Sequence, residues 1–139
     1  FSNFHIKPWT NNSRDLGGTS LRWSTIYSQN SLNTSDRNLK NTIEVSDLGL
    51  SFVNKLNPVS YKFNEVDGEV KDTKTHYGLI AQDVEEVLST EGKTTEDFAA
   101  VVGEEGTYSL AYNELLSPLI KAVQELSAKV AALESSINT

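Results

Sequence analysis

Cysteine and methionine are both missing from these 139 residues, and histidine occurs only twice. Without cysteine there is no disulfide, no thiolate nucleophile and no zinc ribbon. His5 and His76 are too few for a histidine-based metal site, and both read as surface or half-packed side chains. Calcium takes a run of oxygen ligands around a glycine. Asp67-Gly68-Glu69 is a faint echo of that, and a plain turn accounts for it. No metal and no cofactor are therefore expected. A run of about 18 apolar residues is also missing, so no membrane-spanning helix is expected. No charged start precedes an apolar stretch, so no secretory signal is read here. The chain opens on Phe1 and holds no Met, which reads as a piece of a longer polypeptide.

What is present is enough for one modest core, or one domain with an appendage. Net charge is −7, which argues against nucleic acid or an anionic membrane as partner. That charge is unevenly spread. Residues 1–35 hold Lys7, Arg14 and Arg22 against Asp15, a net of +2. Residues 36–139 hold nine basic and eighteen acidic residues, a net of −9. Two modules with separate fates fit this split.

The first module is rich in Ser, Thr, Asn and Gly, with isolated aromatics at Phe1, Phe4, Trp9, Trp23 and Tyr27. Asp15-Leu16-Gly17-Gly18-Thr19-Ser20 is turn chemistry. Leu21 to Tyr27 alternates imperfectly and is β-prone. So short a segment needs neighbours to bury its aromatics, from upstream sequence or from other copies.

In the second module Ser46 with Asp47 marks a helix start, followed by the apolar run Leu48, Leu50, Phe52, Val53 and Leu56. Asn57-Pro58 stops it. Val59 to Phe63 alternates as a strand, and Asn64 to Thr75 reads as a hairpin or exposed loop. Tyr77 to Ile80 looks like a buried strand. Asp83 to Leu88 then follows helical logic, with Ala81, Val84 and Leu88 on one face and Glu85 and Glu86 on the solvated side. Phe98 to Val102 and Thr107 to Leu110 are set to pair around Gly103-Glu104-Glu105-Gly106. The fold class is α+β, a small mixed domain of short strands and helices with a long C-terminal helix.

That helix carries the strongest periodicity. Leu116, Leu119, Val123, Leu126, Val130, Leu133 and Ile137 are spaced alternately three and four apart. This is a heptad seam with Leu116, Val123, Val130 and Ile137 at a and Leu119, Leu126 and Leu133 at d. The alternative is one amphipathic helix packed on its own domain. So narrow a seam favours self-association, and β-branched residues at a with Leu at d lean toward two strands, although the rest of the chain can set the number. Ser117-Pro118 fits an N-cap followed by a first-turn proline. The flanks are mild, with Lys129 and Glu134, so the sequence alone leads one to expect little specificity from charge.

Ser35 and Lys40 sit where the two modules meet. A serine hydroxyl is a poor nucleophile until a base takes its proton. Lysine serves as that base only when neutral, against a free-solution pKa of about 10.4. Burial disfavours the ammonium, and Arg37 pushes the same way, whereas Asp36 opposes it if near. The pair therefore calls for a folded, partly dry pocket. Five extended residues span about 17 Å, so the backbone must turn between them. Asp36 and Asn38 are turn formers. Attack of Ser35 on its own carbonyl closes a strained four-membered ring. Attack on the carbonyl of Thr34 closes a five-membered ring and cuts before Ser35. Cutting after Ser35 is easier with hydroxide or a group from another copy. Taken alone, the pair reads as a capping serine and a solvated lysine.

Several stretches together go further. They are Asp15-Leu16-Gly17, Leu21-Arg22-Trp23, Ile26-Tyr27, Thr34-Ser35-Asp36-Arg37-Asn38-Leu39-Lys40, Leu56-Asn57-Pro58-Val59-Ser60-Tyr61 and Tyr77 to Glu85. Tyr108-Ser109-Leu110-Ala111-Tyr112 and Leu119 to Leu126 complete the set. In this order they resemble the intramolecular chaperone auto-processing domain of phage tail fibres and tailspikes. This is the peptidase S74 family, which includes the C-terminal domain of endosialidases. The resemblance implies a C-terminal chaperone that brings three fibre chains together as an intertwined homotrimer and then releases itself by autoproteolysis. It maps the catalytic serine and lysine to Ser35 and Lys40, with Arg37 and Asn38 in the same motif, and the cut to Ser35–Asp36. Residues 1–35 are then the β-rich end of the mature fibre, and 36–139 the chaperone. The implied partners are other copies and the upstream fibre of the same chain. The implied location is the virion, with the chaperone part left in the host cytoplasm. Two rivals remain: a non-catalytic trimerisation module, and a receptor-binding tip whose aromatics meet a host glycan.

Overall fold

A computed structural model gives the architecture. It describes residues 6–64 and 72–139. Phe1, Phe4, His5 and the Asp67-Gly68-Glu69 turn lie outside the described residues. The chain divides into two compact units, Phe1–Lys40 and Asn41–Thr139.

The first unit holds no strand among its described residues. The β-prone stretch Leu21 to Tyr27 has no ladder partner among the described residues, and a lone extended segment gains no pairing energy. Its described aromatics are open, with Trp9 98%, Trp23 61% and Tyr27 95% exposed.

The second unit is α+β. Helix α1 spans Leu50–Lys55, α2 Ala81–Thr90 and α3 Leu116–Ile137. Strands β1 (Val59–Tyr61) and β2 (His76–Gly78) pair antiparallel, with Ser60 opposite Tyr77. Strands β3 (Val101–Val102) and β4 (Ser109–Leu110) form a second antiparallel pair around the acidic turn. Tyr77 points outward and is 83% exposed, so β2 is a half-buried edge rather than the buried strand expected. A two-stranded sheet covers only one of its faces, which leaves alternate side chains in water.

The core is formed by Leu48, Phe52, Val84, Leu88 and Val101. Ala81, Val84 and Leu88 are the buried stripe of α2, at the spacing a helix needs to put three residues on one face. Phe98 meets Phe52 edge-on, with ring centres 5.9 Å apart. Glu85 is half-buried, not solvated, because the Tyr108 hydroxyl donates to it at 3.1 Å. Glu86 is exposed.

Helix α1 starts later than its sequence suggests. Ser46 donates to the Leu48 carbonyl at 2.9 Å, and Asp47 pairs with Lys93 at 2.6 Å. The helix opens at Leu50 behind Gly49, which has no side chain to cap it. Glu125 of α3 does the capping instead, accepting from the Leu50 N–H at 2.8 Å. A Cβ at position 49 would lie 2.7 Å from that carboxylate, so the approach needs glycine. Gly78 serves Tyr112 likewise, whose hydroxyl takes the Leu79 N–H at 2.9 Å.

Helix α3 follows directly on a 3-10 turn over Tyr112–Leu115. Ser117 is consequently inside the helix rather than its N-cap, and Pro118 occupies the first turn, where its missing N–H costs nothing. Pro118 and Ala122 are buried, and the face they share packs on α1.

Candidate functional site

Asp36 organises the Ser35–Lys40 stretch. Its backbone is extended, and its carboxylate accepts from the Asn38 N–H at 2.8 Å. Leu39 N–H then donates to the Asp36 carbonyl and Lys40 N–H to the Arg37 carbonyl, both at 3.1 Å. Residues Arg37–Leu39 thus make one 3-10 turn. It shortens a reach of about 17 Å in extended chain to side-chain contact. Lys40 Nζ lies 2.8 Å from Ser35 Oγ.

That separation suits proton transfer in either direction. With the amine charged, nitrogen donates to the hydroxyl oxygen. With the amine neutral, the hydroxyl donates to nitrogen and the oxygen gains nucleophilic character. Asp36 is engaged by the turn, and among the described residues Lys40 takes part in no ion pair. Ser35, Asp36, Arg37, Asn38 and Lys40 are all exposed. The dry pocket expected around the pair is therefore not a property of the single chain. A surface turn of six residues has no bulk of its own with which to exclude water.

The heptad seam is the second notable surface. All seven residues, Leu116, Leu119, Val123, Leu126, Val130, Leu133 and Ile137, are exposed, from 46% at Val130 to 82% at Ile137. The helix does pack on its own domain, but through Pro118, Ala122 and Glu125 and not through this stripe.

Two polar clusters have little signature in the sequence. Asp72 holds His76 at 2.9 Å, and the His76 ring stacks on Tyr61 at 5.6 Å and meets Phe63 edge-on at 4.9 Å. The Lys74 N–H, with His76, keeps the Asp72 carboxyl below the usual range. Lys55 bridges Glu91 at 2.7 Å and Thr90 at 3.0 Å. The Lys55 ammonium, helped by Ser51, lowers the Glu91 carboxyl. The four-residue spacing of Asp72 and His76 is the one local signal for either cluster. Among the described residues no group of three His, Asp or Glu is placed to hold a metal ion.

Residues 35–93 match the family described as chaperone of endosialidase, peptidase S74, and the match begins at Ser35. A tail spike protein of an Escherichia phage is 29% identical over 119 residues, covering 84% of this chain and 14% of that protein. A solved structure of the carboxy-terminal domain of the bacteriophage T5 L-shaped tail fiber with its intra-molecular chaperone domain shares the fold. Its TM-score is 0.63 at 19% identity, over 96% of this chain and 39% of that one. A structure described as a novel intramolecular chaperon is 25% identical, with a TM-score of 0.47, over 73% of this chain and 99% of that one. The chain thus spans well under half of the tail spike and tail fibre chains it matches.

Proposed function

We propose, from the premise that this chain carries an intramolecular chaperone domain of the phage tail fibre and tailspike family, that it assembles three copies of a fibre and then cuts itself free beside Ser35. The observation that carries the reading is the 2.8 Å contact between Lys40 Nζ and Ser35 Oγ. The start of the family match at that same serine supports it.

Neutral Lys40 takes the hydroxyl proton, and the serine oxygen attacks a backbone carbonyl. The peptide bond breaks, the amine leaves with the proton, and water releases the ester formed. The bond cut is Ser35–Asp36, so residues 1–35 stay with the fibre in the virion and 36–139 are left in the host cytoplasm. Ser35 reaches its own carbonyl, the one on that bond, only through a four-membered ring. The attacking oxygen is therefore the Ser35 hydroxyl of a second copy, which gives the ester, or a water deprotonated by Lys40, which cuts with no ester formed.

Assembly and cutting are coupled through water. Exposed in one chain, Lys40 is solvated, and closing of further copies over it would exclude that water. Intertwined β-structure has non-local contacts and folds slowly. A helical seam gathers three chains first and raises their local concentration. Removing it afterwards leaves a fibre that unfolds slowly and cannot refold the way it came.

The exposure of the dyad is the one observation that favours a non-catalytic trimerisation module instead. Wild type, Ser35→Ala and Lys40→Ala folded side by side decide between them. Wild type yields two fragments and both variants stay whole, with all three the same oligomer. Wild type that stays whole as a trimer selects the non-catalytic module.

A further inference from the structure

We infer that Lys129 of one copy pairs with Glu134 of its neighbour, and that this pair fixes the C-terminal helices as parallel and unstaggered. The inference rests on the trimer reading above and says how its seam is aligned. Helix α3 contains four charged residues, Lys121, Glu125, Lys129 and Glu134. Two are committed within the chain. Glu125 caps α1, and Lys121 sits 3.7 Å from it. Both lie on the face turned away from the seam. Lys129 and Glu134 are exposed, and among the described residues neither takes part in an ion pair.

Five residues apart on one helix, Lys129 and Glu134 stand about 140° from each other and cannot meet. In the heptad frame of the seam, with Val123 and Val130 at a, Lys129 falls at g and Glu134 at the following e. In parallel helices without stagger, g of one chain faces the following e of the next. These are the only charges at e or g, since Ile120, Ala122, Ser127 and Ser136 fill the other such positions. The pairing therefore has one solution. Sliding one chain by a heptad sets Lys129 against Ser127. Reversing one chain sets the lysine flank against the lysine flank. A heptad slip keeps a facing a and d facing d in the layers that remain, so it is the charge pair that distinguishes one register from another. Closed around a threefold axis, the pair occurs three times and brings the three Leu116 residues level. A symmetric fibre needs that alignment.

The test uses the full chain, with sedimentation equilibrium at low salt. Lys129→Glu places two carboxylates together at each interface and weakens association by about tenfold or more. Adding Glu134→Lys restores the pair with reversed sign and recovers the wild-type association. Single-reversal chains that associate as tightly as wild type overturn the inference, and so does a double reversal that remains as weak as the single. Direction is read separately with Ile137→Cys at the last a position of the seam, the only thiol in the chain. Oxidation joins two chains of each assembled trimer if the helices are parallel. Assembled protein that does not cross-link overturns the parallel alignment. Wild type that sediments as a monomer sinks the trimer reading itself, a result distinct from either of these.

Discussion

A lysine amine accepts a proton only when neutral, so the account makes a sharp demand on the side chain at position 40. Arginine keeps the charge and the length but cannot give up its proton in a protein. Lys40→Arg is expected to slow cutting by roughly 10²–10⁴-fold while leaving the oligomer intact, as read by fragment appearance over time. The turn that delivers Lys40 to Ser35 is legible in the sequence, because Asp36 and Asn38 are local turn chemistry. The exposure of the pair is not. Dryness depends on what surrounds a residue in three dimensions, which the local run of residues 35–40 does not encode.

Helices and strands show the same division between local and distant causes. The α2 face is readable because Ala81, Val84 and Leu88 repeat at helical spacing, and the β3–β4 pair because Gly103 and Gly106 bracket its turn. The start of α1 escapes a local reading because its cap is Glu125, seventy-five residues away along the chain. The start of α3 escapes it because the 3-10 turn over Tyr112–Leu115 leads straight into the helix and leaves Ser117 nothing to cap. Glu125→Ala removes the acceptor of the Leu50 N–H and is expected to cost about 1 kcal/mol in urea unfolding. Gly49→Ala forces the same carboxylate away and is expected to cost at least as much. On the opposite face of α3, Val123→Asp buries a carboxylate in the proposed seam. It should yield a folded monomer by circular dichroism and sedimentation, and that monomer should not cut itself. A Val123→Asp trimer would move the interface off the seam.

At the scale of the whole molecule, charge placement sets a pH window for stability. Asp47 is lowered by its hydrogen bond with Lys93, Asp72 by the Lys74 N–H, Glu91 by Lys55 and Asp97 by the Thr94 N–H. A carboxyl depressed in the folded state stabilises above its unfolded value and loses that contribution as pH falls through the folded one. Lys93 is raised by Asp47, and Tyr108 by Glu85. Groups raised in the folded state contribute fully below their unfolded value and lose it as pH climbs through the folded one. The melting temperature is therefore expected to hold across neutral pH, to fall below about pH 4 and to fall again above about pH 10. All of these groups lie in residues 41–139, so the acid limb belongs to that unit.

The claim beneath all of this is that folding three copies together brings an uncharged Lys40 to bear on Ser35 and severs the chain there. Intact-mass measurement of the folded wild-type chain tests it most directly. The account predicts two masses whose values locate the break beside Ser35, accumulating only after the trimer has formed. A single undivided mass in fully assembled trimer, or a break far from Ser35, would contradict it.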